Sequence, residues 1–130
     1  MVDPEDMVRQ ATAAMEQGNM TRAMTYVRAV QSGYPRSPMV EFATLVEGRV
    51  HFERGESKQA LSAFKRLRNQ FPKGVTVPDA LFMEGVVWEQ LGEREKAMKV
   101  LSRLKNNYPT TEAGRRAAAA LVERADAMRR

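Results

Sequence analysis

Apolar residues along this chain recur at three- and four-residue intervals, the spacing of amphipathic helices. Over 4–17, Met7, Val8, Ala11, Ala14 and Met15 share one face, with Asp3 placed as an N-cap, Pro4 in the first turn and Gly18 past the end. A second helix over about 19–32 opens at Asn19, turns Ala23, Tyr26, Val27 and Val30 inward, and stops at Gly33-Tyr34-Pro35. The pattern then predicts a helix over 37–54 carrying Phe42, Leu45, Gly48 and Phe52, and a partner over 56–70 that buries Ala60, Leu61, Phe64 and Leu67. Another pair follows: 78–91 with Leu81, Phe82, Gly85, Val86, Trp88 and Leu91, and 93–106 with Ala97, Met98, Leu101 and Leu104. A last, alanine-rich helix spans 111–128. The one β-branched stretch, Val75-Thr76-Val77, is short and lies between Pro72 and Pro78, so it reads as extended loop.

The helices come in a repeat. Gly55 and Gly92 stand 37 residues apart, as do Gly48 and Gly85, Ala60 and Ala97, and Phe71-Pro72 and Tyr108-Pro109; the same step backwards reaches Gly18, Ala23 and Tyr34-Pro35. Three helical hairpins result, over about 4–35, 38–72 and 78–109, within one domain spanning 1–130. A hairpin of two helices of about 14 residues, each about 21 Å long, has too little apolar surface to stand alone, so neighbours must stack and a terminal helix must cap the set. The helix at 111–128 fits that cap. Gly48 and Gly85, with Ala11 in the first unit, mark close crossings, and Ala23, Ala60 and Ala97 are expected to face them. Enlarging Ala60 to Leu should then cost about 1 to 3 kcal/mol.

Composition narrows the functions. With 43% hydrophobic and 28% charged residues the chain has the make-up of a globular protein, and without cysteine it offers no disulfide, thiolate nucleophile or sulfur-ligated zinc. No apolar run reaches the roughly 18 residues of a membrane span, and the N-terminus lacks a signal-peptide layout. His51, the single histidine, takes the repeat position of Trp88 and Ala14 and reads as packing within a hairpin. Glu41, Glu47, Glu53, Glu84 and Glu89 stand singly at helical intervals and read as solvated, without the motifs of a catalytic or metal centre. A non-enzymatic chain without a cofactor is expected.

The residues resemble tetratricopeptide repeats, W-x2-L-G-x2-Y, A-x3-F and P. The third unit matches as Leu81, Glu84, Gly85, Trp88, Ala97, Leu101 and Pro109; the second as Thr44, Glu47, Gly48, His51, Ala60, Phe64 and Pro72; the first, more loosely, as Met7, Gln10, Ala11, Ala14, Ala23, Val27 and Pro35. Glu47 and Glu84 replace the expected leucine, an irregularity in local packing. The 37-residue period and the segments Tyr34-Pro35-Arg36-Ser37-Pro38, Phe71-Pro72-Lys73-Gly74 and Tyr108-Pro109-Thr110-Thr111-Glu112 further resemble bacterial envelope proteins of the CpoB (YbgF) type, and less closely BamD. The coiled coil that precedes the CpoB-type repeats, and a lipoprotein cysteine, are missing from the chain as written. The resemblance implies an all-α, right-handed solenoid of three hairpins plus a C-terminal capping helix, acting as a scaffold in envelope assembly. As written, the chain is expected in the cytoplasm; as an excised domain of an exported CpoB-like protein it would be periplasmic.

In tetratricopeptide proteins the first helix of each hairpin lines a concave groove. Carried onto this sequence, that places Glu5, Val8, Thr12 and Met15, then Phe42, Leu45, Arg49, Phe52 and Glu53, then Phe82, Val86, Glu89 and Gln90 on the wall. A partner helix or extended peptide could anchor on Phe42, Phe52 and Phe82 with Arg49 pairing a carboxylate; the alternative is that some rings are buried between hairpins. The Lys and Asn set that holds chaperone tails is replaced by Val8, Thr12, Leu45, Phe82 and Val86, which disfavours that partner.

Charge separates by helix. The net charge is +5 and the pI about 9.9. Asp79, Glu84 and Glu89 make 78–91 acidic, while Lys58, Lys65, Arg66 and Arg68 against Glu56 make 56–70 basic. In 93–106, Arg94, Lys96, Lys99, Arg103 and Lys105 outweigh Glu93 and Glu95, and Arg115, Arg116, Arg124, Arg129 and Arg130 continue the trend. A basic convex face at Lys58, Lys65, Arg66, Lys99 and Arg103 is the second candidate surface, for nucleic acid or anionic lipid. The absence of interleaved aromatics disfavours nucleic acid. A protein partner, with the chain a monomer or weak homodimer joined through the last helix, is the expectation.

Overall fold

The structure, a computed structural model, describes residues 3–129; Met1, Val2 and Arg130, the last counted above with the basic residues, lie outside them. The described residues form seven α-helices and no strand: α1 (Pro4–Glu16), α2 (Met20–Gly33), α3 (Met39–Glu53), α4 (Ser57–Gln70), α5 (Val77–Gln90), α6 (Arg94–Asn107) and α7 (Glu112–Met128). The protein is an all-α, tetratricopeptide-like helical repeat, arranged as two compact units, Met1–Thr76 and Val77–Arg130.

Local chemistry sets the helix ends. The amide of Asp6 donates to Asp3 Oδ1 at 2.9 Å and that of Arg22 to Asn19 Oδ1 at 3.0 Å, satisfying first-turn donors. Gly18, Gly55 and Gly92 hold φ of +82°, +74° and +77°, the left-handed conformation that turns each hairpin. In all three the next amide bonds back into the preceding helix: Asn19 to Ala14 O, Glu56 to His51 O and Glu93 to Trp88 O, at 2.8 to 2.9 Å.

In the first unit, α1 pairs with α2 and α3 with α4, and α3 packs on both α1 and α2. Ala11, Ala14, Met15, Ala23, Val27, Val30, Val40, Ala43, Val46 and Val50 form one core, flanked by Met7, Val8, Met20, Met24, Tyr26, Met39 and Phe71. Gly48 does cross closely, but its contact is the ring of Phe64 rather than Ala60: a methyl group there would overlap the ring. In the second unit Gly85 likewise meets Leu101, whose Cδ2 would lie 3.1 Å from an added methyl. Helical side chains lean toward the N-terminus, so the residue one turn after the alanine covers the crossing. Phe64 is 0% exposed, a burial worth about 1.5 to 3 kcal/mol.

The second unit pairs α5 with α6 and lays α7 on both. Two of the apolar residues that mark the helical pattern of this unit lie outside: Leu91 is 46% and Met98 36% exposed. The stretch 75–77 also differs from expectation. Val75 and Thr76 form a turn and Val77 is already helical, with Pro78 in the first turn where no amide donor is required. The cause is Glu41, whose buried Oε2 accepts from the Thr76 amide at 3.1 Å and from its hydroxyl at 2.8 Å. Gly74 lets the carboxylate approach, since a side chain there would collide with it.

Candidate functional site: apolar openings beside the first helices of the hairpins

Within the first unit, the loops flanking α3 and α4 surround an opening of about 700 Å³ lined by Pro35, Pro38, Phe42, Phe71 and Val75, with exposed Arg36 and Lys73. Phe42 is half-buried and Val75 is 77% exposed. The loops contribute most of this lining, and the sequence had singled out only Phe42. A smaller, more polar opening of about 330 Å³ gathers Met15, Arg49 and Glu53 with Glu16, Gly18 and Met20. Arg49 and Glu53 are exposed, Met15 is buried, and Val8, Thr12, Leu45 and Phe52 are half-buried. Glu5, at the start of the same wall, is exposed and reaches Arg9 at 3.4 Å.

In the second unit, Phe82, Val86, Glu89 and Gln90 lie around one opening of about 230 Å³ completed by Gly85, Leu101, Ala120 and Arg124. Helix α7 shapes it. The Arg116 guanidinium lies 4.6 Å from the centroid of the Phe82 ring, and Arg124 pairs with Glu89. Neither arginine stood among the groove residues; their spacing of 34 and 35 from Phe82 and Glu89 becomes informative only once α7 is known to fold back on α5.

Glu41, Glu47 and Glu84 are buried rather than solvated. Glu47 takes the leucine position of the repeat and is satisfied there: Arg66 Nη2 donates to its Oε2 at 2.5 Å, Gln31 Nε2 donates to its Oε1 at 2.7 Å, and Arg28 stands 3.6 Å away. Burial pushes its carboxyl upward, but the hydrogen bonds from Arg66 and Gln31 and the charges of Arg66 and Arg28 outweigh this and hold it below the ordinary glutamate value. No buried polar side-chain atom among the described residues lacks a hydrogen bond. His51 is half-buried and its Nδ1 lies 3.0 Å from Glu56 Oε1, across the α3–α4 turn, so it packs inside the hairpin. No group of three or more possible metal ligands occurs among the described residues.

The basic candidates divide. Lys58 and Lys65 on α4 and Lys99 and Arg103 on α6 are exposed. Arg66 is half-exposed, but it is drawn inward by Glu47, so it does not serve as an open cation. Lys96 sits 4.6 Å from the centroid of the Trp88 ring, which covers that ring from the α6 side.

No described helix is long and apolar enough to cross a membrane. No curated protein matches the chain. Residues 2–124 match the family model YfiO, described as outer membrane lipoprotein, which agrees with the BamD-like side of the sequence resemblance. With that match running through nearly all of the repeats, the chain belongs to the YfiO outer membrane lipoprotein family.

Proposed function

We propose that this protein is a non-enzymatic interaction scaffold that takes a partner peptide or helix against the first helices of its hairpins, in assembly or coordination of the bacterial envelope. The observation that carries this reading is the opening at Phe82, Val86, Glu89 and Gln90: a concave, mainly apolar site bordered by an ion pair is the form in which a partner's anchoring side chain is desolvated and oriented. The half-buried rings of Phe42 and Phe52 offer the same kind of contact in the first unit. The family description supports an envelope setting over the cytoplasm, and a CpoB-like pathway is a narrower form of the same proposal.

The test is partner capture by the full chain from envelope extracts, compared with Phe52→Ala and Phe82→Ala. Loss of capture by about tenfold or more, with helicity retained and only weak dependence on salt, supports the groove. Capture that survives both substitutions but collapses with salt, and with Lys65→Glu and Lys99→Glu, would transfer the function to the basic helices and to phosphate-bearing partners.

A further inference from the structure

Helix α7 keeps the register of α3 and α5 but not their neighbours. Position 122 falls 37 residues after Gly85 and 74 after Gly48, so Val122 stands where the other two helices carry the glycine that admits Phe64 or Leu101. Within its unit α7 packs on α5 and α6, and Val122 remains 61% exposed. Met128 and Met98, also exposed, border an opening of about 260 Å³ with Arg94, Ala127 and the Arg124–Glu89 pair. Among the described residues, four of the five exposed large hydrophobic residues therefore belong to this unit: Leu91, Met98, Val122 and Met128.

The polar positions change as well. At the place of Glu47 and Glu84, α7 carries Leu121, and at the place of Gln31, which donates to Glu47, α6 carries Lys105. Lys105 is exposed and makes no ion pair among the described residues. Arg115, Ala118, Val122, Ala125 and Arg129 follow one another at alternating steps of three and four, the seam on which a second helix lies. Arg115 and Arg129 close its ends, each in an exposed local pair, with Glu112 and Asp126 respectively, and Arg115 also donates from Nη1 to Thr110 O at 2.7 Å. The face is thus apolar in the middle and cationic at its margins, without the buried carboxylate that neutralises the arginines in the first unit.

We propose that this face of α7 is a docking surface for an acidic amphipathic helix of a partner protein, one that sets a small residue against Val122. Charge complementarity selects the acidic helix. Size selects against the chain's own second helices: Phe64 and Leu101 need a glycine opposite, and Val122 fills that space. The inference goes beyond the groove reading, because the variants that test it leave Phe42, Phe52 and Phe82 in place.

The experiment uses the full chain and synthetic amphipathic helices of 17 residues, the length of α7, with a leucine face and a single central contact position. Binding is read by fluorescence anisotropy. The peptide with glutamate flanks and central alanine should bind at least about tenfold more tightly than its lysine-flanked or central-phenylalanine counterparts. Val122→Asp should abolish that binding, and Val122→Gly should shift preference toward the phenylalanine peptide; the exposure of Val122 leaves both variants folded, which circular dichroism checks. Equal binding of acidic and basic peptides, or binding indifferent to Val122→Asp, overturns the proposal. So does a dimer in sedimentation that dissociates in Val122→Asp, since a second copy would then be the occupant.

Discussion

Helices α3 and α7 hold the same place in the 37-residue register and meet different surroundings. On α3, Gly48 lies under the ring of Phe64, and Glu47 is buried among Arg66, Gln31 and Arg28. On α7 the same two places are taken by Val122, 61% exposed, and by half-buried Leu121. Where a second described helix crosses, as on α3, side-chain volume is given up and a carboxylate is placed among cations; on α7, whose face no described helix covers, the volume is kept and the carboxylate is replaced. The repeat is therefore a set of positions whose residues follow what covers them.

The largest effect is expected from making α3 resemble α7. Gly48→Val drives two methyl groups into Phe64 and should cost about 3 kcal/mol, read from the denaturant midpoint. An unchanged midpoint would mean that α4 can recede, and that the close crossing is not required. Glu41→Ala, which leaves the Thr76 amide and hydroxyl without their buried acceptor, should cost about 1 to 3 kcal/mol and speed hydrogen exchange at Thr76.

A smaller effect should appear on acidification. Because the carboxyl of Glu47 titrates below its ordinary value in the folded chain, the stabilisation is complete above the unfolded value of about 4.3 and is lost as pH falls through the folded value. The wild-type chain should therefore lose stability more steeply below about pH 4.3 than Glu47→Gln does. Parallel pH profiles would show that Arg66 and Arg28, both half-exposed, contribute nothing through this residue. The smallest effect belongs to Val122→Gly, the inverse of the first change. With no described helix on that face it should cost only the difference in helix propensity, about 0.5 kcal/mol. A cost of several kcal/mol would place Val122 in a core and remove the contrast with Gly48.

Much of this was legible beforehand. Asp3 and Asn19 cap the helices they precede, Gly18, Gly55 and Gly92 turn the hairpins, and Phe82, Val86, Glu89 and Gln90 meet around one opening. The caps and turns follow from local rules and the period, and the four residues on one wall from the tetratricopeptide resemblance. Glu41, Glu47 and Glu84 were misread as solvated because a carboxylate's burial depends on donors far away in the chain: Thr76 lies 35 residues after Glu41 and Arg66 lies 19 after Glu47. The exposure of Leu91 and Met98 could not be read from the pattern, because an apolar residue at helical spacing is buried only if another element covers it. The openings built by loops or by α7, with Phe71, Val75, Arg116 and Arg124, were invisible for the same reason.

By itself the sequence determined the helices, their caps and turns and the step of 37 residues, because each rests on contacts within about one turn of helix or on a repeated pattern. Packing of the helices settles which residue fills each glycine's space, which carboxylates are buried, and which face of α7 is left uncovered among the described residues. Those outcomes depend on the second surface of a contact, and the residues that supply it stand too far along the chain for any local pattern to name them.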